Sequence, residues 1–367
     1  MPVYKYRTAK GKTLYYVKYN NITKRGFETK SAAKKYELEL MVAPKDPTPT
    51  VTYYDVAMGY LEYQKNNSTF GTYQKSLNLF QKFIQPNIPN KKIDKYTELE
   101  CEQFRTYVNG LPNSTEYKND ILARFKGIFK FACKYYGLEK DPTRYMQRLK
   151  KSFEEKQKKI NMIVWDETEF ERFITTVDKP QYQALFTTLY YTGMRLGEAL
   201  ALNWNDVSDH KISITKSLTR KTDKGTYEIK EPKTVSSIRR LELNDSLYKY
   251  LMAYKDSQKK IPGFNDSWFV FGNILPLAQV SIDREKDRAV RISGVKRIRI
   301  HDFRHSHASN LIANGANIVA VSKRLGHSNI NMTLSTYTHL LEKNSEELVN
   351  KLEISSQNLL TKLKSPL

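Results

Sequence analysis

Residues 301–337 constrain this chain more than any other part of it, because they place several reactive side chains on one short helical unit. The stretch reads HDFRHSHASNLIANGANIVAVSKRLGHSNINMTLSTY. His301 and Arg304 are three residues apart, so a helix would place them on one face. An amphipathic helix should follow and end at Gly326, which stands where a left-handed helix cap is expected. Two imidazoles, a guanidinium and a phenol stand out at short intervals in this stretch: His301, His327, Arg304 and Tyr337.

The chemistry of these residue types favours attack on a phosphate. A guanidinium can pair with two anionic oxygens, a histidine can move a proton near neutral pH, and a phenol can be a nucleophile. Each feature alone is weak, since an H-x-x-R pair is usually a solvated helix face and a single buried tyrosine is usually part of a core. Their combination predicts an active site.

A second arginine strengthens that prediction. Arg195 lies in YYTGMRLGEALAL and should open a helix, where backbone N–H groups and the helix dipole favour an anion. Glu198 follows one turn later, close enough to orient the Arg195 guanidinium. A plain surface ion pair is the alternative interpretation of these two residues.

With this arginine included, the chain resembles the tyrosine recombinase (phage integrase) family. TGMRLGE matches the box that holds the family's first arginine, and HDFRH matches its H-x-x-R box. LGHS matches the box of the following histidine, and TLSTYTH the box that ends in the nucleophilic tyrosine. The resemblance covers roughly residues 160–345 with the boxes in the family's order.

The resemblance implies a role for each residue of the site. Tyr337 would attack a phosphodiester and form a 3′-phosphotyrosyl link, and His301 would assist its proton transfer. The two arginines would clamp the phosphate oxygens, and His327 would donate a hydrogen bond to them. A lysine on a hairpin would protonate the leaving 5′ oxygen, and Lys233 in the P-K-T setting is the choice, with Lys224 and Lys230 nearby. The implied catalytic set is Arg195, Lys233, His301, Arg304, His327 and Tyr337, with Glu198 in support and with neither metal nor cofactor.

The N-terminal residues 1–43 predict a small basic domain. VYKYRTAKGKTLYYVKYN reads as two alternating strands, a third should lie near residues 24–29, and Ser31 should cap a short helix. Three strands and a helix resemble the arm-site DNA-binding domain of mobile-element integrases. A small basic sheet that only packs on its neighbour is the alternative. The strand residues expected at a DNA groove are Arg7, Tyr16, Lys18, Lys24 and Arg25.

The rest of the chain predicts a multidomain protein. Residues 51–140 carry apolar side chains at helical spacing throughout, and they resemble the family's all-α core-binding domain. Residues 141–160 should form a charged linker, and residues 161–345 a mainly helical catalytic domain with a small β-sheet. Residues 346–367 should form a C-terminal tail. Phosphate contacts in the helical domain are expected from Lys75, Arg124 and Lys130.

Composition agrees with a nucleic-acid partner. The net charge is +22, and 25 tyrosines add flat rings with polar tips. Basic charge alone would also suit a ribosomal or membrane-surface protein, so the choice among these classes depends on the motifs. The sequence has two cysteines without metal-type spacing, and it has neither a long apolar run nor a signal pattern. These features predict a cytoplasmic protein that is associated with the nucleoid and not with the membrane.

These expectations combine into a site-specific recombinase that integrates or excises a phage or an integrative conjugative element. It would bind double-stranded DNA that carries core and arm sites, and it would assemble there as a homotetramer that exchanges C-terminal tails. An excisionase and a DNA-bending host protein would be further partners. Three alternatives stay open: a type IB topoisomerase, a chromosome-dimer-resolving recombinase, and a catalytically inactive DNA-binding regulator. The N-terminal domain argues against the first two, and the complete catalytic set against the third.

Overall fold

The computed structural model describes residues 3–8, 11–19, 22–42, 51–153, 155, 163–220, 222, 225–231, 237–327, 329–342 and 353. The chain divides into two compact units, Met1–Lys159 and Ile160–Leu367. Among the described residues, none of the helices combines the length and the apolar character that a bilayer crossing requires.

The first unit begins with an antiparallel sheet of three strands, β1 (Tyr4–Arg7), β2 (Thr13–Tyr19) and β3 (Ile22–Phe27). The helix α1 (Lys30–Val42) contacts the sheet, and Val17 and Ala33 are fully buried. These strands and this helix agree with the sequence prediction. The predicted cap was wrong: the helix starts before Ser31, and the Thr29 hydroxyl accepts a hydrogen bond from the backbone N–H of Ala32.

The larger part of the first unit is helical: α2 (Tyr53–Asn67), α3 (Phe70–Leu79), α4 (Glu98–Asn109) and α5 (Thr115–Tyr135). Thr97 and Glu100 form a capping box at the start of α4, and Thr69 caps α3. Aromatic rings fill the core between the helices, with Phe104 and Phe125 only 4.4 Å apart between ring centroids. The all-α prediction for this region holds because its apolar stripes bury against one another.

The first residues of the predicted linker 141–160 are packed against this helical core. Met146 and Leu149 are buried, and the amide side chain of Asn119 bonds both the backbone N–H and the carbonyl of Leu149. Further on, Glu155 accepts a hydrogen bond from the hydroxyl of Thr115. Two apolar side chains and a paired backbone therefore hold this segment to α5, although its composition is charged.

The second unit contains eight helices among its described residues and two small antiparallel sheets. Its helices are α6 (Glu167–Ile174), α7 (Pro180–Thr192), α8 (Leu196–Ala201), α9 (Asp245–Lys259), α10 (Gln279–Ser293), α11 (Asp302–Ala313), α12 (Ile318–Leu325) and α13 (Asn331–Glu342). Its strands are β4 (Val207–Ser208), β5 (Lys211–Ile214), β6 (Ser217–Thr219), β7 (Glu228–Lys230) and β8 (Arg239–Glu242).

The strands pair in the orders β4-β5-β8 and β6-β7. Ile212 and Leu241 face each other across β5 and β8 and are both buried. The main core lies between the helices, where α7 packs on α11. The predicted fold class is confirmed: a small three-stranded sheet, a helical region, and a mainly helical region with small sheets.

Candidate active site

The turn after α7 fixes the position of two arginines. Gly193 has a φ of +64°, and a Cβ there would lie 2.6 Å from the His307 ring and 2.9 Å from Leu325, so glycine is required. Its carbonyl accepts a 3.0 Å hydrogen bond from Nη1 of Arg304. Arg195 follows after Met194 as the N-cap of α8. One glycine turn therefore places both arginines.

Glu198 holds Arg195 as the sequence predicted. The carboxylate accepts from the backbone N–H of Arg195 at 2.9 Å and from Nη1 of its guanidinium at 2.8 Å. The side chain of Glu198 is 4% exposed and that of Arg195 37% exposed. A buried carboxylate thus orients an arginine whose outer edge reaches solvent, which is the arrangement expected of a group that meets a ligand.

Arg239 at the start of β8 shares the same carboxylate, a contact that the sequence analysis did not predict. Its Nη1 and Nη2 donate to the two oxygens of Glu198 at 3.2 and 2.9 Å, and its Nε donates to the carbonyl of Arg324 at 2.8 Å. Burial opposes ionisation of Glu198, but Arg239 and then Arg195 hold the pKa of the carboxyl below its ordinary value. The pair of Glu198 and Arg239 therefore joins the start of α8 to β8 and, through the Arg324 carbonyl, to the end of α12.

Arg304 on α11 is 4% exposed, and its guanidinium is only partly bonded. Nη1 reaches Gly193, while Nη2 is buried with no hydrogen-bond partner among the described residues. Burial, and then the nearby charge of Arg195, lowers the pKa of Arg304 to about 9. A buried N–H group without an acceptor costs about 1–3 kcal/mol. An anionic oxygen at Nη2 would remove that cost.

His327 follows the cap of α12, where Gly326 has a φ of +70°. Its Nδ1 lies 2.7 Å from the Thr333 hydroxyl, which fixes the ring and leaves Nε2 for another partner. Burial, followed by the charges of Arg304 and Arg195, lowers the pKa of His327 to about 4. The ring is therefore neutral at physiological pH, beside both arginines.

Tyr337 on α13 is 1% exposed, and its ring belongs to a small apolar cluster. Its hydroxyl lies 2.8 Å from Nδ1 of His305 on α11. Burial raises the pKa of Tyr337, and the charge of Arg304 opposes that shift. The neighbours of Tyr337 in the cluster are Ala308, Ile312, Val321 and Leu325.

The predicted partner for the proton of Tyr337 is His301, whereas the structure places Nδ1 of His305 beside the tyrosine hydroxyl. His301 is an exposed residue at the N-cap of α11, and none of the hydrogen bonds between described residues joins it to Tyr337. The two imidazole rings meet edge to face with centroids 5.0 Å apart. The spacing of four residues between the histidines was the signal that could have identified His305 as part of the same helix face.

His307, the third histidine of α11, is bonded at both ring nitrogens. Nε2 accepts from Nε of Arg324 at 3.2 Å, and the ring makes a further bond to the backbone of Tyr190. Burial, and then the charge of Arg324, lowers the pKa of His307 to about 3. This histidine is neutral and has no free ring nitrogen for a ligand.

The predicted Lys233 and its neighbour Lys224 lie outside the described residues. The preceding hairpin of β6 and β7 is present, as expected, with Leu218 opposite Ile229 in its register. Lys230, at the end of β7, is exposed and pairs with Glu228 at 2.9 Å. The assignment of the lysine stays a prediction.

The five basic and aromatic residues predicted on the N-terminal sheet do not share one face. The register pairs Tyr16 with Tyr4 and Arg25, and Lys18 lies two residues along β2 from Tyr16. Tyr16 stacks on Tyr4 at 4.9 Å, and the Arg25 guanidinium lies 5.7 Å from the Tyr16 ring. Arg7 and Lys24 occupy alternate positions on the opposite face, where Lys24 lies over the ring of Tyr36 of α1.

The three phosphate-contact candidates of the helical region differ in their surroundings. Lys75 is ion-paired with Asp120, so it is already partly neutralised. Arg124 is half-buried, and its Nε has no hydrogen-bond partner among the described residues. Lys130 is exposed on α5. No contact with a nucleic acid distinguishes them here, and they stay predictions.

Comparison with known proteins supports the interpretation of the second unit. The sequence profile of the Phage integrase family matches residues 164–344. The ICEBs1 integrase of Bacillus subtilis (strain 168) is 31% identical over 295 residues, which cover 77% of this chain and 77% of that protein.

Solved structures show the same fold at lower identity. The Tn1549 transposon integrase in complex with a circular intermediate DNA superposes with a TM-score of 0.63 at 21% identity, over 82% of this chain and 100% of that one. A lambda integrase tetramer bound to a Holliday junction gives a TM-score of 0.54 at 14% identity, over 90% of this chain and 96% of that one.

The profile and the ICEBs1 relative establish the family on sequence grounds, and the solved structures agree in fold. The arginine pair, the buried tyrosine and the neutral histidines described above lie within the matched residues. The chain belongs to the phage integrase family and is a tyrosine-type site-specific DNA recombinase.

Proposed function

We propose that this recombinase integrates and excises a mobile element by cutting DNA with Tyr337. The hydroxyl would attack a scissile phosphodiester, form a 3′-phosphotyrosyl link and leave a free 5′-hydroxyl. The observation that carries this proposal is the proximity of Tyr337 to Arg304, each of which influences the pKa of the other: α13 packs on α11, and the buried Nη2 of the arginine has no acceptor among the described residues. The nucleophile and the unfilled anion site therefore belong to one cluster.

The arginines would stabilise the charge that develops on the phosphate. Nη2 of Arg304 would donate to one non-bridging oxygen, and the exposed edge of Arg195 to the other. His327, held by Thr333 through Nδ1, would donate from Nε2. These groups are fixed by the protein before DNA binds, so little reorganisation is needed in the transition state.

Lys233 would protonate the departing 5′ oxygen. An ammonium group is a suitable acid when neighbouring positive charge lowers its pKa, and the arginines would supply that charge. Since the covalent link conserves the energy of the broken bond, the reaction would need neither nucleotide nor metal.

The assembly and the DNA sites are also proposals. The open face of the N-terminal sheet, with Tyr4, Tyr16 and Arg25, would bind arm sites, and the helical region would bind core sites together with the catalytic region. A homotetramer would exchange residues 346–367 between subunits, consistent with the tetramer of lambda integrase on a Holliday junction. An excisionase and a DNA-bending host protein would control direction on the bacterial nucleoid.

A suicide substrate tests the proposal. The crossover sequence is read from the direct repeats that flank the element, and a duplex carrying it is nicked beside the scissile phosphate so that the cleaved fragment diffuses away. The native chain should form a protein–DNA band that survives denaturant, and Tyr337→Phe should lose that band while its duplex affinity stays nearly unchanged. A covalent band from the Phe variant would show that another residue is the nucleophile.

A further inference from the structure

His305 stands where a proton acceptor for Tyr337 is needed. Its Nδ1 is 2.8 Å from the tyrosine hydroxyl, a distance typical of a hydrogen bond between the reacting groups. The tyrosine ring is enclosed by apolar side chains of α11 and α12, so solvent has little access to its hydroxyl. The proton of Tyr337 therefore has one described side-chain acceptor within hydrogen-bond distance.

We propose that His305, and not His301, accepts the proton of Tyr337 during DNA cleavage and returns it during rejoining. The proposal rests on the proposed function of Tyr337 as the nucleophile. It gives a chemical role to a histidine that the roles implied by the family resemblance do not include.

The charged and titratable groups around His305 keep its ring unprotonated before DNA binds. Burial is the main cause that lowers the pKa of His305 to about 4, and His301 is the next. A bound phosphodiester would bring a negative charge beside the arginines and would raise that pKa towards its ordinary value, so the base strengthens when substrate arrives. The groups that face His305 are Arg299, His301, Asp302 and Arg304 from its own helix and the preceding turn, together with His327.

The step balances in protons and bonds. The proton on Oη of Tyr337 moves to Nδ1 of His305 while the Oη–P bond forms. The bond from phosphorus to the 5′ oxygen breaks, and the 5′ oxygen takes a proton from Lys233. His305 is then an imidazolium and Lys233 a neutral amine. Rejoining runs the same transfers in reverse.

His305→Asn separates proton transfer from simple placement of the tyrosine. An asparagine side chain can keep a hydrogen-bonding group near the position of Nδ1, but it cannot take up a proton. The single-turnover cleavage rate on the suicide substrate should fall about 10²–10⁴-fold near pH 7, the usual contribution of a general base. Duplex affinity and melting temperature should stay close to those of the native chain.

The pH profile is the decisive readout, measured from about pH 6 to about pH 9. The native rate should be nearly flat above about pH 7, because His305 is unprotonated there even after bound DNA has returned its pKa towards the ordinary value. The His305→Asn rate should rise about tenfold per pH unit, because hydroxide must then remove the proton from Tyr337. A variant rate that is reduced but runs parallel to the native profile would show that His305 only holds the tyrosine, and would overturn the proposal. An unchanged rate would overturn it as well.

A modified leaving group and two further variants complete the test. Sulfur in place of the bridging 5′ oxygen leaves without protonation, so it should not rescue His305→Asn; rescue would contradict a role at the nucleophile. His301→Asn should keep the flat profile even if its rate falls. His210→Asn is the matched control, since His210 is exposed and has a φ of 58°, which asparagine tolerates. Covalent product from Tyr337→Phe would instead mean that the proposed function has failed.

Discussion

Arg239 and Arg304 are both buried arginines of the second unit, yet their guanidinium groups have different surroundings. Arg239 is 8% exposed in its side chain, and each of its three nitrogens donates to an acceptor, two of them to Glu198. Arg304 is 4% exposed, and its Nη2 has no acceptor in the described part of the chain. Both residues lose hydration, but within the described part of the chain only Arg239 has an acceptor for every nitrogen of its guanidinium group.

The difference distinguishes a structural arginine from one prepared for a ligand. Glu198 neutralises Arg239 and holds β8 against the end of α12, so the gain is realised in the free protein. For Arg304 a bound anion would provide the compensation, since the neutral rings of His305 and His327 nearby supply no negative charge. The ion pair of Glu198 and Arg239 therefore stabilises the free protein, whereas Nη2 of Arg304 would gain its partner from a bound anion.

Among changes to the two arginines and their partners, the largest expected effect comes from Arg304→Lys. The lysine keeps a positive charge but lacks the planar fork, so it cannot serve Gly193 and a phosphate oxygen together. The single-turnover cleavage rate should fall about 10²–10³-fold, the usual loss for one oxyanion donor. Duplex affinity, measured on the same DNA, should change little.

Arg239→Lys is the matched control for that variant. It should lower the melting temperature, because Glu198 loses its two-pronged partner, and it should reduce the cleavage rate less than Arg304→Lys does. A larger rate loss from Arg239→Lys than from Arg304→Lys would reverse the roles assigned to the two arginines.

Glu198→Gln should have the next largest effect, this time on stability. Removing one partner of a buried ion pair costs about 3–5 kcal/mol, since the remaining charge is left unpaired. Urea denaturation should show a lower free energy of unfolding. Glu242→Gln, whose parent side chain is 80% exposed and 3.8 Å from Lys211, should show almost none of this loss. An equal loss of unfolding free energy in both variants would mean that the buried ion pairs of Glu198 stabilise the fold no more than the exposed pair of Glu242 does.

Acidification should destabilise the chain through its neutral histidines. In the folded state the pKa is lowered from 6.5 to about 4 for His305 and His327, and to about 3 for His307, mainly by burial. Between these values the unfolded chain binds more protons than the folded chain, so stability is full above about pH 6.5 and falls as the pH drops. Urea midpoints from about pH 8 to about pH 5 measure this, and a constant midpoint would contradict it.

Removal of residues 1–49 should have the smallest effect on the surroundings of Arg239 and Arg304. A chain starting at Thr50 keeps the helical core and both arginines, so it should fold and cleave a short core-site duplex at the native rate. Recombination between full-length sites should drop, and the dependence of log affinity on log salt should become shallower as basic contacts are lost. Equal recombination by the two chains would show that residues 1–43 do not bind arm sites.

The sequence predicted contacts between residues that are close in the chain better than contacts between residues that are far apart in it. The cap at Gly326, the pair Arg195–Glu198 and the helix that carries His301 and Arg304 all depend on spacings of a few residues, which the helical repeat determines. The contact of Arg239 with Glu198 crosses about forty residues of chain, and that of His305 with Tyr337 about thirty. Such contacts depend on how elements pack.

In the N-terminal sheet, too, the sequence predicted the elements but not how they pack. Its strands and helix follow from alternation and from a short apolar stripe, and the sequence predicted them. Which face α1 covers depends on tertiary packing, which buries Val17 of β2 and Ala33 of α1. The sequence therefore identified Arg7 and Lys24 as basic strand residues, but not that they lie away from the open face.

The most direct measurement is the identity of the residue that carries DNA in the trapped complex. The covalent species from the suicide substrate is digested with a protease and a nuclease, and the nucleotide-bearing peptide is sequenced by mass spectrometry. The peptide containing Tyr337 should carry the 3′-phosphate, because Tyr337 is the described tyrosine whose pKa responds to Arg304, and Nη2 of Arg304 has no acceptor among the described residues. A nucleotide on any other tyrosine, or on a serine, would contradict it.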